Sequence, residues 1–205
     1  MVDINDLQIT LPPYLSAQST AELLADIEKF PEHYGELYTS YLPEPNILYQ
    51  GDGMSGLPML YADGECTDIK LNASIILSNT CDMDSRNKRK YSTYILYCPI
   101  FKLTEFREGL ESTYGKNTAD SLISGIKKQA CTSVLYLPAW QSDQDEGIVF
   151  LDRIFHIHSS KIDLSRVSEN RIFSLSNFGF YLLLLKLSIH FCRMQEKVDR
   201  YVLYR

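Results

Sequence analysis

A thiol, two spaced carboxylates and four cations lie within the ten residues Cys81-Asp82-Met83-Asp84-Ser85-Arg86-Asn87-Lys88-Arg89-Lys90. Cys81 has nucleophilic chemistry only as a thiolate, which a neighbouring histidine such as His190 would have to generate. Asp82 and Asp84 could hold a divalent cation through two carboxylates. His156-x-His158 would add nitrogen ligands, as in a metal-dependent phosphodiesterase. The same residues have a plainer reading. Asn79, Thr80 and Asp82 build turns through side-chain to backbone hydrogen bonds, and Cys81 is a small buried hydrophobe. Arg86, Lys88, Arg89 and Lys90 would attract phosphate, with Tyr91 and Tyr94 close enough to stack on bases, or they form a solvated hairpin tip.

A second cationic pattern closes the chain. Lys186, His190, Arg193, Lys197 and Arg200 recur at spacings of four and three, which places them within about 80° of arc on a helix. That stripe would face an anionic ligand, a nucleic-acid backbone, an acidic partner or the chain's own acidic N-terminal third. Leu182, Leu185, Ile189 and Cys192 would take the buried side, and Arg171 could join the cluster from just before the helix.

The elements that must position these groups follow from periodicity. Residues 1–15 read as extended. Ser19 and Glu22 form a capping box for a helix over 19–30, ended by Pro31. Tyr34 to Pro45 reads as an aromatic loop. Ile47-Leu48-Tyr49 reads as a strand, Gly51-Asp52-Gly53 as a turn and Leu57 to Tyr61 as a strand, with Asp63-Gly64 signalling a tight hairpin. Ile69 to Ser78 predicts a central strand that runs straight into the Thr80-Cys81-Asp82 loop. Tyr91 to Phe101, Val134 to Leu137 and Ile148 to Ile157 predict further strands. His156 and His158 then share one face, since residues two apart on a strand point the same way. Thr104 and Asn117 or Thr118 open helices in an insert over 104–130, and a long helix runs over 177–202. The expectation is a single α+β domain over 1–205. Residues 1–46 form an N-terminal arm, and 47–160 form a small antiparallel, partly closed, SH3-like β-barrel carrying the helical insert.

Composition narrows the function. The 205 residues carry a formal net charge of -6, which argues against a generic nucleic-acid coat protein. The excess is local, however: residues 1–60 hold nine acidic side chains against Lys29 alone, and the remainder is slightly basic. The five cysteines show no CxxC pair, so a structural zinc site is not expected, and no third ligand is identifiable beside the two histidines. No metal or cofactor is assigned. A missing signal sequence and the lack of a long uncharged apolar run lead us to expect a reduced, cytoplasmic protein with no membrane segment.

Gln50-Gly51-Asp52, Thr80-Cys81-Asp82, Leu137-Pro138, Ser174-Leu175-Ser176 and Arg193 together resemble a pattern in small uncharacterised prokaryotic proteins of this size, over roughly residues 47–200. The resemblance implies an accessory role of the kind encoded beside mobile or defence genes, and no particular activity. Three functions remain open. The first is a module binding nucleic acid, a nucleotide or a protein partner. The second is a hydrolase built on Asp82, Asp84, His156 and His158, or on Cys81. The third is an assembly subunit with an aromatic patch at Tyr34, Tyr38 and Tyr41. The first is favoured. It requires the Thr80-Cys81-Asp82 turn and the basic flank of the last helix to share one surface.

Overall fold

The computed structural model describes Gln18 and residues 36–63, 66–141 and 145–192. The predicted arm elements over 1–15 and 19–30, Tyr34, and the helical stripe beyond Cys192 lie outside the described residues.

Hairpin β2 (Gly53–Asp63) and β3 (Cys66–Ile76) is the long central ribbon, paired antiparallel from Gly53↔Ile75 to Asp63↔Cys66. Gly56, at φ +74°, sits in the bulge between Met54 and Leu57, where positive φ suits a residue without Cβ. β4 (Tyr94–Lys102) pairs with β3 through Ser74–Ile76, then with β6 (Gly147–Phe150) and, toward its other end, with β7 (Phe155–His158). β5 (Val134–Leu137) pairs with β6, while β8 (Arg171–Leu175) joins β2 to the two-residue β1 (Tyr38–Thr39).

The order is β1-β8-β2-β3-β4-β6-β5, with β7 branching from β4. The fold is thus mixed α and β around an antiparallel sheet. That sheet is an open path rather than the partly closed barrel anticipated, because no backbone pairing joins its ends among the described residues. Side chains nevertheless bring the ends together: the Tyr38 hydroxyl of β1 donates to the Pro138 carbonyl just past β5 at 2.6 Å, and Trp140 packs on Phe173 of β8 at 5.3 Å between ring centroids.

Helices cover the sheet unequally. α1 (Thr80–Met83) is one short turn, α2 (Leu103–Tyr114) and α3 (Lys116–Lys127) form the insert, α4 (Val167–Asn170) precedes β8, and α5 (Asn177–Cys192) follows it. Successive residues of the central strands serve opposite cores. Ile75 and Cys98 pack with Ile123, Ile126, Leu182 and Leu183, whereas Ile76 and Tyr97 pack with Leu48, Met54, Met83 and Val167. This explains why Ile75 and Ile76 are both fully buried: alternation sends neighbouring side chains to the two faces, and both faces are covered here.

Two expected strands are revised. Ile47-Leu48-Tyr49 is an irregular loop: the Ile47 carbonyl accepts from the Arg171 side chain and the Tyr49 carbonyl from the Asp52 N–H at 3.1 Å in a local turn, rather than from a neighbouring strand. The single strand expected over Ile148–Ile157 is two, β6 and β7, broken where the Arg153 N–H closes a turn onto Phe150 O at 3.1 Å. β8 was not anticipated, and its short Ile-Phe-Ser-Leu run becomes a strand through its long-range partners β1 and β2.

Gly179, in the first turn of α5, lets the helix lie against β1. A Cβ built there would stand 2.3 Å from the Leu37 carbonyl oxygen. That carbonyl accepts from Ser176 N–H at 2.9 Å, so it is not free to retreat. Gly179→Ala is expected to cost about 1–3 kcal/mol by overpacking, read as a lower urea midpoint at unchanged slope. An unchanged midpoint would mean that α5 shifts freely on β1.

Candidate functional site

Everything converges on the turn after β3. Leu77 N–H donates to Leu96 O at 2.8 Å, and the Ser78 hydroxyl accepts from Leu96 N–H at 2.8 Å, so the chain stays held to β4 for two residues beyond β3. Asn79 then caps α1, its Oδ1 accepting from Cys81 N–H at 2.9 Å. Met83 anchors the turn in the second core. The turn reading of Asn79 is therefore realised, while Cys81 is exposed instead of buried.

On one side of α1 lies a cleft of about 770 Å³ lined by Tyr41, Tyr49, Gln50, Asp52, Thr80, Ser174, Ser176, Asn177, Phe178 and Phe180, among others. The Gln-Gly-Asp, Thr-Cys-Asp and Ser-Leu-Ser segments, far apart in sequence, meet here. Gln50 makes the junction: its N–H donates to Thr80 Oγ1 at 3.0 Å and its side-chain amide to Leu77 O at 2.7 Å. Behind the cleft wall the Asp52 carboxylate, 1% exposed, accepts from Arg171 Nε at 2.9 Å, from Tyr49 N–H at 2.9 Å and from the Ser174 hydroxyl. Arg171 also donates to Pro45 O at 2.6 Å and to Ile47 O. Burial outweighs these donors and raises the Asp52 carboxyl above its ordinary range. With its acceptors and Arg171's donors committed inside the protein, this pair holds the 45–53 loop on β8 and does not face a ligand as a reagent.

On the other side of α1 lies a polar cleft of about 840 Å³. Its walls carry Asp82, Asp84, Arg89, His158, Lys161 and Asp163, with hydroxyls from Ser85, Tyr91, Ser92, Thr93, Ser159, Ser160 and Ser165. The carboxylates are engaged. Asp84 accepts from Arg86 N–H, Nε and Nη2 at 2.8–3.1 Å, which holds its carboxyl below the usual range. Asp82 pairs with Arg89, and Asp163 accepts from Ser165 N–H at 3.0 Å. Lys161, together with Lys88 and Lys90 in the adjoining loop, is exposed and has no hydrogen-bond or ion-pair partner among the described residues. Local sequence offered no signal for Lys161 beyond its place in the turn after His158.

His156 and His158 share a face of β7, as their spacing required. Both rings stand nearly edge-on to Tyr94, at 5.3 and 5.2 Å between centroids. His158 Nδ1 accepts from Ser160 N–H at 3.2 Å and lies 2.7 Å from its hydroxyl. Among the described residues, no group of three or more His, Cys, Asp or Glu side chains is arranged to hold a metal ion. No hydrogen bond joins Cys81 to a histidine there either; its carbonyl accepts from Asn87 Nδ2 at 2.8 Å.

The helical stripe needs a correction at its first member. Lys186 is 4% exposed, and its Nζ donates to Gln129 O, Cys131 O and Val134 O at 2.7–2.8 Å. The reason is geometric. On α5, Lys186 falls between Leu182 and Leu183, both fully buried, so it lies in the middle of the covered arc. His190 is half-buried against Phe191, and Arg193, Lys197 and Arg200 lie outside the described residues. It is the N-terminal end of α5, through Asn177, Phe178 and Phe180, that shares a cleft with the Thr80 turn.

No protein-family model matches this chain, and no curated protein does. Its own geometry therefore carries the functional reading. No helix among the described residues is long and apolar enough to cross a membrane.

Proposed function

We propose that this chain is a binding and accessory module that takes an anionic ligand on the polar cleft beside α1, in the cytoplasm and with free thiols. The observation that carries this reading is the trio Lys88, Lys90 and Lys161. Lys161 lines a hydroxyl-rich cleft whose carboxylates are already occupied by Arg86, Arg89 and Ser165, and Lys88 and Lys90 flank Arg89 in the loop at its rim, all three without a partner among the described residues. Serine and threonine hydroxyls supply donors, and Lys161 and Arg89 supply charge, a combination suited to phosphate oxygens. The supporting scaffold is a curled open sheet, its ends fastened by Tyr38 and Pro138, which is the nearest this chain comes to the small barrel expected. The hydrolase readings have less behind them, since Asp82 and Asp84 are both spent on arginines.

The test is titration with inorganic polyphosphate by calorimetry across a salt series. The triple variant Lys88→Glu, Lys90→Glu, Lys161→Glu should lose about 10-fold or more in affinity at low salt. It should also show a shallower dependence of log affinity on log salt, by roughly one unit per phosphate contact removed. All three side chains are exposed, so folding is not at stake. A native chain that ignores polyphosphate, or a variant that binds it equally well, would refute the reading.

A further inference from the structure

Two tyrosines stand in water in and beside the basic loop, and a third stands in water on the neighbouring cleft across α1. Tyr91, which follows Lys90, is 68% exposed; Tyr94, at the start of β4, is 56% exposed; and Tyr41 is 75% exposed. Tyr41 belongs to the 41–45 loop, which Glu44 fastens to the basic loop by accepting from Arg86 Nη1 at 2.9 Å. None of the three rings belongs to either core. Leaving apolar ring surface in water forgoes the stabilisation that burial gives, so core packing does not account for them.

Two of the rings are nevertheless held in place. The Tyr91 hydroxyl accepts from Arg89 Nη1 at 3.1 Å, with that guanidinium 6.0 Å from its ring centroid. Tyr94 lies between His156 and His158, whose rings meet it at 75° and 87°. This gives the two histidines a positioning role that their spacing alone suggested as metal ligation.

Positioned, solvent-facing rings interleaved with unpaired cations are what a strand of unstacked bases requires. Phosphates meet the cations, and each base has a face to lay on a ring. A duplex buries those faces, and bare polyphosphate has none. Resting on the anion-binding reading above, we propose that the ligand is single-stranded nucleic acid, stacked on Tyr41, Tyr91 and Tyr94 while its phosphates engage Lys88, Lys90 and Lys161.

The experiment compares fluorescein-labelled oligothymidylate, the corresponding oligouridylate, a blunt duplex of equal length and inorganic polyphosphate by fluorescence anisotropy and competition. The double variant Tyr41→Ala, Tyr91→Ala should weaken oligothymidylate binding by about 10-fold or more, since one stacked base is worth roughly 5- to 150-fold. Polyphosphate affinity should stay within about two-fold, and Tyr91→Trp should preserve strand binding. The duplex should bind markedly less tightly than the single strand, and the ribose arm separates a preference for RNA from one for DNA. A chain that binds polyphosphate but no oligonucleotide, or whose strand binding ignores the tyrosine substitutions, overturns this inference and leaves the anion reading standing. A chain that binds neither probe overturns both.

Discussion

Arg171→Met should destabilise the protein by about 3–5 kcal/mol, the largest loss expected from any single substitution here. At roughly 2–4 °C per kcal/mol for a chain of this size, the thermal midpoint should fall by about 6–20 °C. The guanidinium side chain is 8% exposed and its Asp52 partner 1% exposed, so solvent cannot replace the lost interaction. Two groups would be stranded, the Asp52 carboxylate and the Ile47 carbonyl, whereas the exposed Pro45 carbonyl can turn to water. The cost lies in leaving a buried charge uncompensated rather than in the intrinsic strength of the pair. Asp52→Leu combined with Arg171→Met should accordingly cost less than the sum of the two single changes, which a double-mutant cycle measures.

The same substitution carries a pH signature. The Asp52 carboxyl already titrates above its ordinary value in the folded chain, owing mainly to burial. A carboxyl whose folded pKa exceeds the unfolded one favours the folded state most below the unfolded pKa, and that contribution disappears as pH rises through the folded pKa. Losing Arg171 raises the folded value further, so the variant should suffer less at about pH 5 than at pH 7. Urea unfolding at the two values reads this directly. Equal losses at both would mean that Asp52 keeps its charge without the guanidinium. The consequence reaches the cleft, because Arg171 fixes the loop that presents Tyr49 and Gln50 to it.

This node also shows where sequence reading reaches and where it stops. The strand running into Thr80-Cys81-Asp82 is legible from its apolar run and sudden polar end, and β5 from a four-residue apolar block closed by Pro138. Those signals are local. Asp52 and Arg171 are 119 residues apart, and nothing within either segment announces the pairing. Ile47-Leu48-Tyr49 has a strand's composition, yet Arg171 satisfies the Ile47 carbonyl and the chain forms no ladder there. The break between β6 and β7 is hidden because Leu151-Asp152-Arg153-Ile154 contains neither Gly nor Pro, so β-like alternation reads straight through it. β8 illustrates the converse, since five residues with two polar members become a strand only when β1 and β2 lie on both sides. The hydroxyl-lined cleft is half legible: the basic loop is conspicuous, whereas Lys161 reaches it only through the turn after β7.

Lys186→Met should cost about 2–4 kcal/mol at neutral pH, and the deficit should grow as pH rises. Methionine reproduces the stem of the side chain, so cavity formation is minor and the loss comes from three carbonyls deprived of their donor. Those carbonyls shape the connection from α3 to β5. Gln129 there adopts φ +57°, a left-handed conformation that reverses the chain after the helix, and its side-chain amide pairs with both backbone groups of Tyr136 on edge strand β5. The Lys186 amino group thus fastens this turn to α5. Burial pushes its pKa down to about 7 from an ordinary value near 10.5. Between those values the unfolded chain binds the proton and the folded chain does not, so the unfolded state holds more protons and stability rises with pH. The Lys186 contribution is therefore complete above the unfolded pKa and is lost as pH falls through about 7. Urea unfolding of the native chain and the variant at pH 6, 7.5 and 9 isolates this group, because titrations common to both proteins cancel in the difference. A gap that stays flat or narrows toward pH 9 would show that the three carbonyls keep Lys186 protonated despite its burial. Its role would then be that of a permanent charge clamp on the α3–β5 turn.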